Sequence, residues 1–100
     1  MNNTGNFDNQ NTEYLYTALA KLKTPEEAKA FLQDVCTIAE LTEMANRISV
    51  AKMLCDGMTY QQICEATGIS TATVTRVNRC LRYGSGGYRL IIDRLEKDGE

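Results

Sequence analysis

Between Thr59 and Arg79 two helical patterns stand only three or four residues apart. Thr59, with Gln62 three positions later, reads as a capping box opening a short helix that turns Ile63, Cys64 and Ala66 inward. Gly68 ends that helix, because glycine takes the left-handed backbone of a tight turn without steric cost. Ser70 caps a second helix in which Val74, Val77 and Leu81 form a narrow apolar stripe. A pair joined so closely makes a helix-turn-helix pattern. That pattern needs a small residue where the helices cross, a residue free to take positive φ, and apolar residues to hold the angle. Cys64, Gly68, and Ile63, Ile69, Val74 and Val77 supply them in that order.

The rest of the chain is punctuated in the same way. Met1 to Asn11 is rich in Asn and reads as a loose tail. From Thr12, Leu15, Ala18, Leu19 and Leu22 recur at helical spacing. Thr24-Pro25-Glu26-Glu27 combines an N-cap, a proline at the first helical position and a capping-box glutamate. The helix it opens would carry Phe31, Leu32, Val35, Cys36, Ile38 and Ala39 on one broad face, with Thr42 capping a third helix containing Met44, Ile48, Ala51, Leu54 and Cys55 up to a stop at Gly57. After Gly84, Gly86 and Gly87 a last helix would turn Tyr88, Ile91, Ile92 and Leu95 to one side. No segment alternates like a strand, so the expected class is all-α, with about six helices. At 100 residues the chain has room for one domain, taken as residues 12–100 behind the tail.

Composition removes several functions. The chain has no histidine, the commonest general base, and no glycine-rich phosphate loop, so it is not expected to be an enzyme. The cysteines, Cys36, Cys55, Cys64 and Cys80, lie 19, 9 and 16 residues apart within apolar patterns. With no C-x-x-C, they read as buried small hydrophobes and not as metal ligands or disulfides. No apolar run approaches the roughly 18–20 residues of a membrane span, and Met1 to Thr12 lacks the regions of a signal peptide, so the expectation is a cytoplasmic protein without a membrane partner.

The net charge of −2 conceals an asymmetry. From Ala66 to Ile92 the chain carries Arg76, Arg79, Arg82 and Arg89 and no acid, while the remainder holds 7 basic against 13 acidic residues. At 100° per residue, the second helix of the motif turns Ala72, Thr75, Arg76 and Arg79 away from its apolar stripe. Short side chains near a helix N-terminus can approach base edges in a major groove, while arginines and helix N-termini meet phosphates. The candidate contacts to double-stranded DNA are therefore Tyr60, Gln61, Ser70, Thr71, Ala72, Thr73, Thr75, Arg76, Arg79 and Arg82.

The run Gly68-Ile69-Ser70-Thr71-Ala72-Thr73-Val74-Thr75-Arg76, followed by Asn78 and Leu81, resembles the recognition helix of the tryptophan repressor superfamily. The longer run from Ser70 to Tyr88, with Thr37 to Leu41 and Ile48 to Tyr60 before it, is similar to the YerC/YecD branch of that superfamily, and the resemblance covers Tyr14 to Leu95. It implies an intertwined homodimer whose two helix-turn-helix units address successive major grooves. In the superfamily one arginine of the third helix holds the carboxylate of a tryptophan corepressor, a second stacks on the indole, and a following glycine leaves room for the ring. Arg76 matches the stacking arginine, but Val77 stands at the glycine position, and the carboxylate position falls at Asn46, with Arg47 beside it. A branched side chain in a planar slot costs about 1–3 kcal/mol of overpacking. The resemblance thus implies a regulator that does not answer to L-tryptophan and needs no cofactor; any effector would be another small molecule near Arg76 and Arg47.

Two other readings compete. RNA binding is weaker, because A-form RNA has a deep narrow groove and single-strand readers stack bases on aromatics, of which only Tyr60 and Tyr83 lie near the basic stretch. A dimeric interaction module that keeps the fold without binding DNA would suit the negative net charge and the absence of lysine between Met53 and Glu96.

Overall fold

Residues 9–99 are described by a computed structural model. Among them the chain forms six helices and no strand: α1 (Gln10–Ala20), α2 (Pro25–Val35), α3 (Ile38–Cys55), α4 (Tyr60–Thr67), α5 (Thr71–Tyr83) and α6 (Gly87–Asp98). The all-α class read from periodicity is the class observed. Most of the expected tail lies outside the described residues, but Gln10 and Asn11 are already helical. The reason is local: Asn9 Oδ1 accepts the Thr12 N–H at 3.0 Å and caps α1 earlier than expected. The chain divides into two units, one ending at Thr37 and the other starting at Ile38.

In the first unit α2 begins where its cap and proline place it. Thr24 Oγ1 accepts the Glu27 N–H at 3.1 Å, and Pro25 occupies the first turn. The Glu27 carboxylate accepts the N–H of Lys23 at 2.9 Å, one residue outside a standard capping box. The helix ends at Val35, and Cys36 is extended, with φ −105° and ψ 149°. Ile38 and Ala39, expected on α2, therefore open α3. Thr42, expected as the cap of α3, sits inside it. Thr37-Ile38-Ala39-Glu40 is itself a T-x-x-E sequence at the true start, and a threonine inside a helix costs at most about 0.7 kcal/mol. Neither α1 nor α2 contains a fully buried residue, and Tyr14, Leu15, Tyr16, Leu19 and Val35 are exposed.

The second unit holds the core. Val50 and Ala51 of α3, Ile63 of α4, Val74 and Val77 of α5 and Ile92 of α6 are each at most 3% exposed, so all four helices contribute to one cluster. Burying such aliphatic side chains stabilises by about 1.5–3 kcal/mol each. Ile48, Met53, Leu54, Met58, Tyr60, Cys64, Ile69, Leu81 and Tyr88 pack around it. Four expectations need correction. Ala66, expected inward on α4, is exposed, the core contact of that helix being made by Ile63 with Cys64 beside it. Val50 was absent from the inward set, whereas Met44 was in it and is exposed. Ile91 and Leu95 are exposed, leaving Ile92 and Tyr88 as the inward pair of α6. None of the cysteines is fully buried: Cys36 and Cys64 are half-buried, and Cys55 and Cys80 exposed. A polarizable thiol tolerates a half-wet site, so an apolar pattern did not place these residues inside.

Gly57 closes α3 with φ +89°, Met58 N–H bonding to Met53 O at 3.1 Å and Gly57 N–H to Leu54 O at 3.0 Å, the paired bonds of a Schellman stop. Lys52 ties the end of α3 to α6: its Nζ lies 2.8 Å from Asp56 and 3.1 Å from Glu96. The hydrogen bonds to Asp56, then to Glu96, raise the Lys52 pKa above its ordinary value. Among the described residues no helix is long and apolar enough to cross a membrane.

Candidate nucleic-acid interface

Local chemistry sets both ends of the turn. Thr59 Oγ1 accepts the Gln62 N–H at 3.1 Å, and Gln62 Oε1 accepts the Thr59 N–H at 2.9 Å, so the capping box is closed in both directions. Gly68 ends α4 at φ +76°, its N–H donating to Cys64 O at 2.8 Å. Thr67 binds the turn to the helix: its hydroxyl donates to Ile63 O at 2.7 Å and accepts the Ile69 N–H at 3.0 Å. Ser70 Oγ then accepts the Thr73 N–H at 3.2 Å and caps α5. Across the helix pair, Cys64 Sγ and Thr71 Oγ1 are 3.6 Å apart, with the small thiol at the close approach.

With Val74 and Val77 held in the core, the opposite side of α5 faces outward. Thr71, Ala72, Thr75, Arg76, Arg79 and Cys80 line one open groove on that side. Five of these six belong to the expected set. Cys80 was missed; it stands four residues after Arg76 and eight after Ala72, on the same stripe, and its apolar character had suggested the interior. Arg76, Arg79 and Arg82 are exposed, and among the described residues none of them pairs with a carboxylate. The arginine face therefore keeps its charge uncompensated and available to a polyanion.

The other expected residues are spread around this groove. Ser70 and Thr73 are engaged with each other, the Ser70 hydroxyl lying 3.2 Å from Thr73 Oγ1 as well as capping its N–H. Tyr60 is half-buried against the core at the start of α4. Gln61 is exposed, and its Nε2 donates to Glu65 Oε2 at 3.1 Å. Arg82 lies in the last turn of α5. Arg47, on α3, has Nε 3.9 Å from Glu43 Oε1 and is not part of the groove. Burial, then the Cys80 thiol, raise the Tyr88 phenol pKa above its ordinary value, while the charges of Arg47 and Arg76 lower it. Among the described residues no three His, Cys, Asp or Glu side chains gather in a way that could hold a metal ion.

Residues 10–96 match the family model described as Trp repressor protein. The uncharacterised protein YerC of Bacillus subtilis (strain 168) is 44% identical over 85 residues, spanning 85% of this chain and 82% of that protein. The crystal structure of a TrpR-like protein from Eubacterium eligens ATCC 27750 superposes with a TM-score of 0.85 at 45% identity, covering 93% of this chain and 96% of the other.

Proposed function

The chain belongs to the Trp repressor family, and from that premise we propose that it is a sequence-specific transcriptional regulator, a repressor, that binds double-stranded DNA as a homodimer in the cytoplasm. The observation that carries this reading is the groove on α5, whose arginines have no acidic partner among the described residues and whose N-terminal end is lined by short side chains. A helix-turn-helix presents such a face to the major groove, short groups toward the base edges and arginines toward the phosphate walls. Binding to a duplex at two salt concentrations tests it. Affinity that falls steeply as salt rises supports the regulator, and no binding at low salt would favour an interaction module instead.

The dimer has its own support. Tyr14, Leu15, Tyr16 and Leu19 of α1 and Val35 of α2 are exposed in the single chain, and large apolar side chains left uncovered in such numbers favour a protein interface. A second copy covering these helices gives a two-fold assembly, and its half-sites then lie about one DNA turn apart on a near-palindromic operator. Sedimentation of the purified chain at micromolar concentration is expected to give twice the monomer mass; a clean monomer would reject the assembly.

Regulation departs from the family pattern. Val77, at the position of the glycine that leaves room for an indole, is 1% exposed and packed in the core with Val74 and Ile92. Arg47, beside the carboxylate-binding position, already faces Glu43. Free L-tryptophan is therefore expected to raise DNA affinity by no more than about a few-fold, since the slot carries an overpacking cost of about 1–3 kcal/mol. Tryptophan binding at low micromolar concentration in titration calorimetry would reverse this.

A further inference from the structure

Resting on the DNA-binding reading, we infer that the α5 groove reads a guanine through Arg76 next to thymines contacted by the methyl groups of Ala72 and Thr75. The half-site is thus distinguished at G and T edges, by a guanidinium and by methyl groups.

Each base pair shows a distinct pattern in the major groove. Arginine pairs with guanine O6 and N7, a carboxamide with adenine N6 and N7, a carboxylate with the cytosine amino group, and apolar groups with the thymine methyl. The motif accounts for its own amides and acid. Gln62 Oε1 is held by the Thr59 N–H, and Gln61 Nε2 is held by Glu65. Asn78 is half-buried and does not line the groove. No carboxamide or carboxylate stands among the groove residues, so the bidentate reader of adenine and the carboxylate reader of cytosine are missing from it.

The hydroxyls narrow the chemistry further. Ser70 and Thr73 are bonded to each other, and Thr71 faces Cys64 Sγ. Thr75 is exposed and, among the described residues, its hydroxyl has no partner. What the groove offers a base is therefore the guanidinium of Arg76, the methyls of Ala72 and Thr75, and the Thr75 hydroxyl, which both donates and accepts and so does not by itself discriminate between bases. From Ala72 to Arg76 the helix rises about 6 Å, the length of about two base-pair steps, so these side chains address neighbouring pairs. Arg79 stands a turn later, where the groove wall is nearer.

The experiment selects bound duplexes from a random library with the purified full chain at low salt, then measures affinity for the selected site carrying 7-deazaguanine for guanine or deoxyuridine for thymine. The series is run on the wild type and on Arg76→Ala, with thermal melting to check that the variant folds. Loss of guanine N7 is expected to weaken wild-type binding by about five- to a hundredfold, and Arg76→Ala by less than about twofold further. Loss of one thymine methyl is expected to weaken the wild type by about fourfold. A selected half-site without adjacent G and T, unchanged wild-type affinity on either analogue, or an equal 7-deazaguanine loss in Arg76→Ala overturns the inference while leaving DNA binding intact. Failure to select any duplex overturns both. If Arg76→Ala does not fold, the two analogues on the wild type decide by themselves.

Discussion

Replacing Ile63 with alanine is expected to destabilise the second unit by about 2–5 kcal/mol, the range for truncating a fully buried isoleucine. Ile63 is 0% exposed and is the one fully buried residue of α4, a helix of eight residues. A helix that short is marginal alone and depends on tertiary packing. Losing its anchor leaves a cavity beneath the turn and loosens the angle between α4 and α5. Domains of this kind are stable by only about 5–15 kcal/mol, so the loss takes a large share of the total. Urea unfolding of the variant would show it as a lower midpoint with little change in slope. Ile63→Val, which removes one methylene, should cost about 0.5–1.5 kcal/mol. A loss below about 1 kcal/mol for Ile63→Ala would mean that α4 is held by something other than this contact.

Arg79→Ala is expected to act on binding and not on the fold. Arg79 is exposed and without an acidic partner among the described residues, so its removal leaves no buried group unsatisfied. If it meets a phosphate, each contact removed lowers the magnitude of the salt slope by about 0.9, or about 1.8 for a dimer. Hydrogen bonds to charged groups contribute about 1.5–3 kcal/mol, so affinity should fall at least about tenfold per contact, and equally for every duplex sequence. Titrations of wild type and variant at several salt concentrations measure both quantities. An unchanged affinity and slope would assign Arg79 to a solvated helix surface.

The helix-turn-helix was legible residue by residue because every boundary in it is a short-range event. The Thr59–Gln62 box, the Gly68 turn and the Ser70 cap are written within a few positions of one another, and each forms the bonds its residues allow. The outward face of α5 followed from the same arithmetic: once Val74 and Val77 point inward, Ala72, Thr75, Arg76 and Arg79 cannot. The charge asymmetry was also legible, since the absence of acid from Ala66 to Ile92 is a property of the string.

Where two local signals competed, the string was ambiguous. Thr37 and Thr42 both sit at a plausible start for α3, and the extended backbone at Cys36 decided for the earlier. The sequence offered four residues of α6 for the core, and only Ile92 is fully covered, with Tyr88 partly so, because the packing of α6 against the other helices leaves Ile91 and Leu95 outside it. Val50 was passed over although it lies one residue from Ala51. Cys80 shows the limit most plainly. Its type suggested the interior, its position on the helix put it in the groove, and the packing of Val77 on the opposite side settled between them. Caps, turns and helix faces depend on neighbours within four positions and are therefore carried by the string. Which part of a face becomes covered depends on helices far away in sequence, and only their packing decides it.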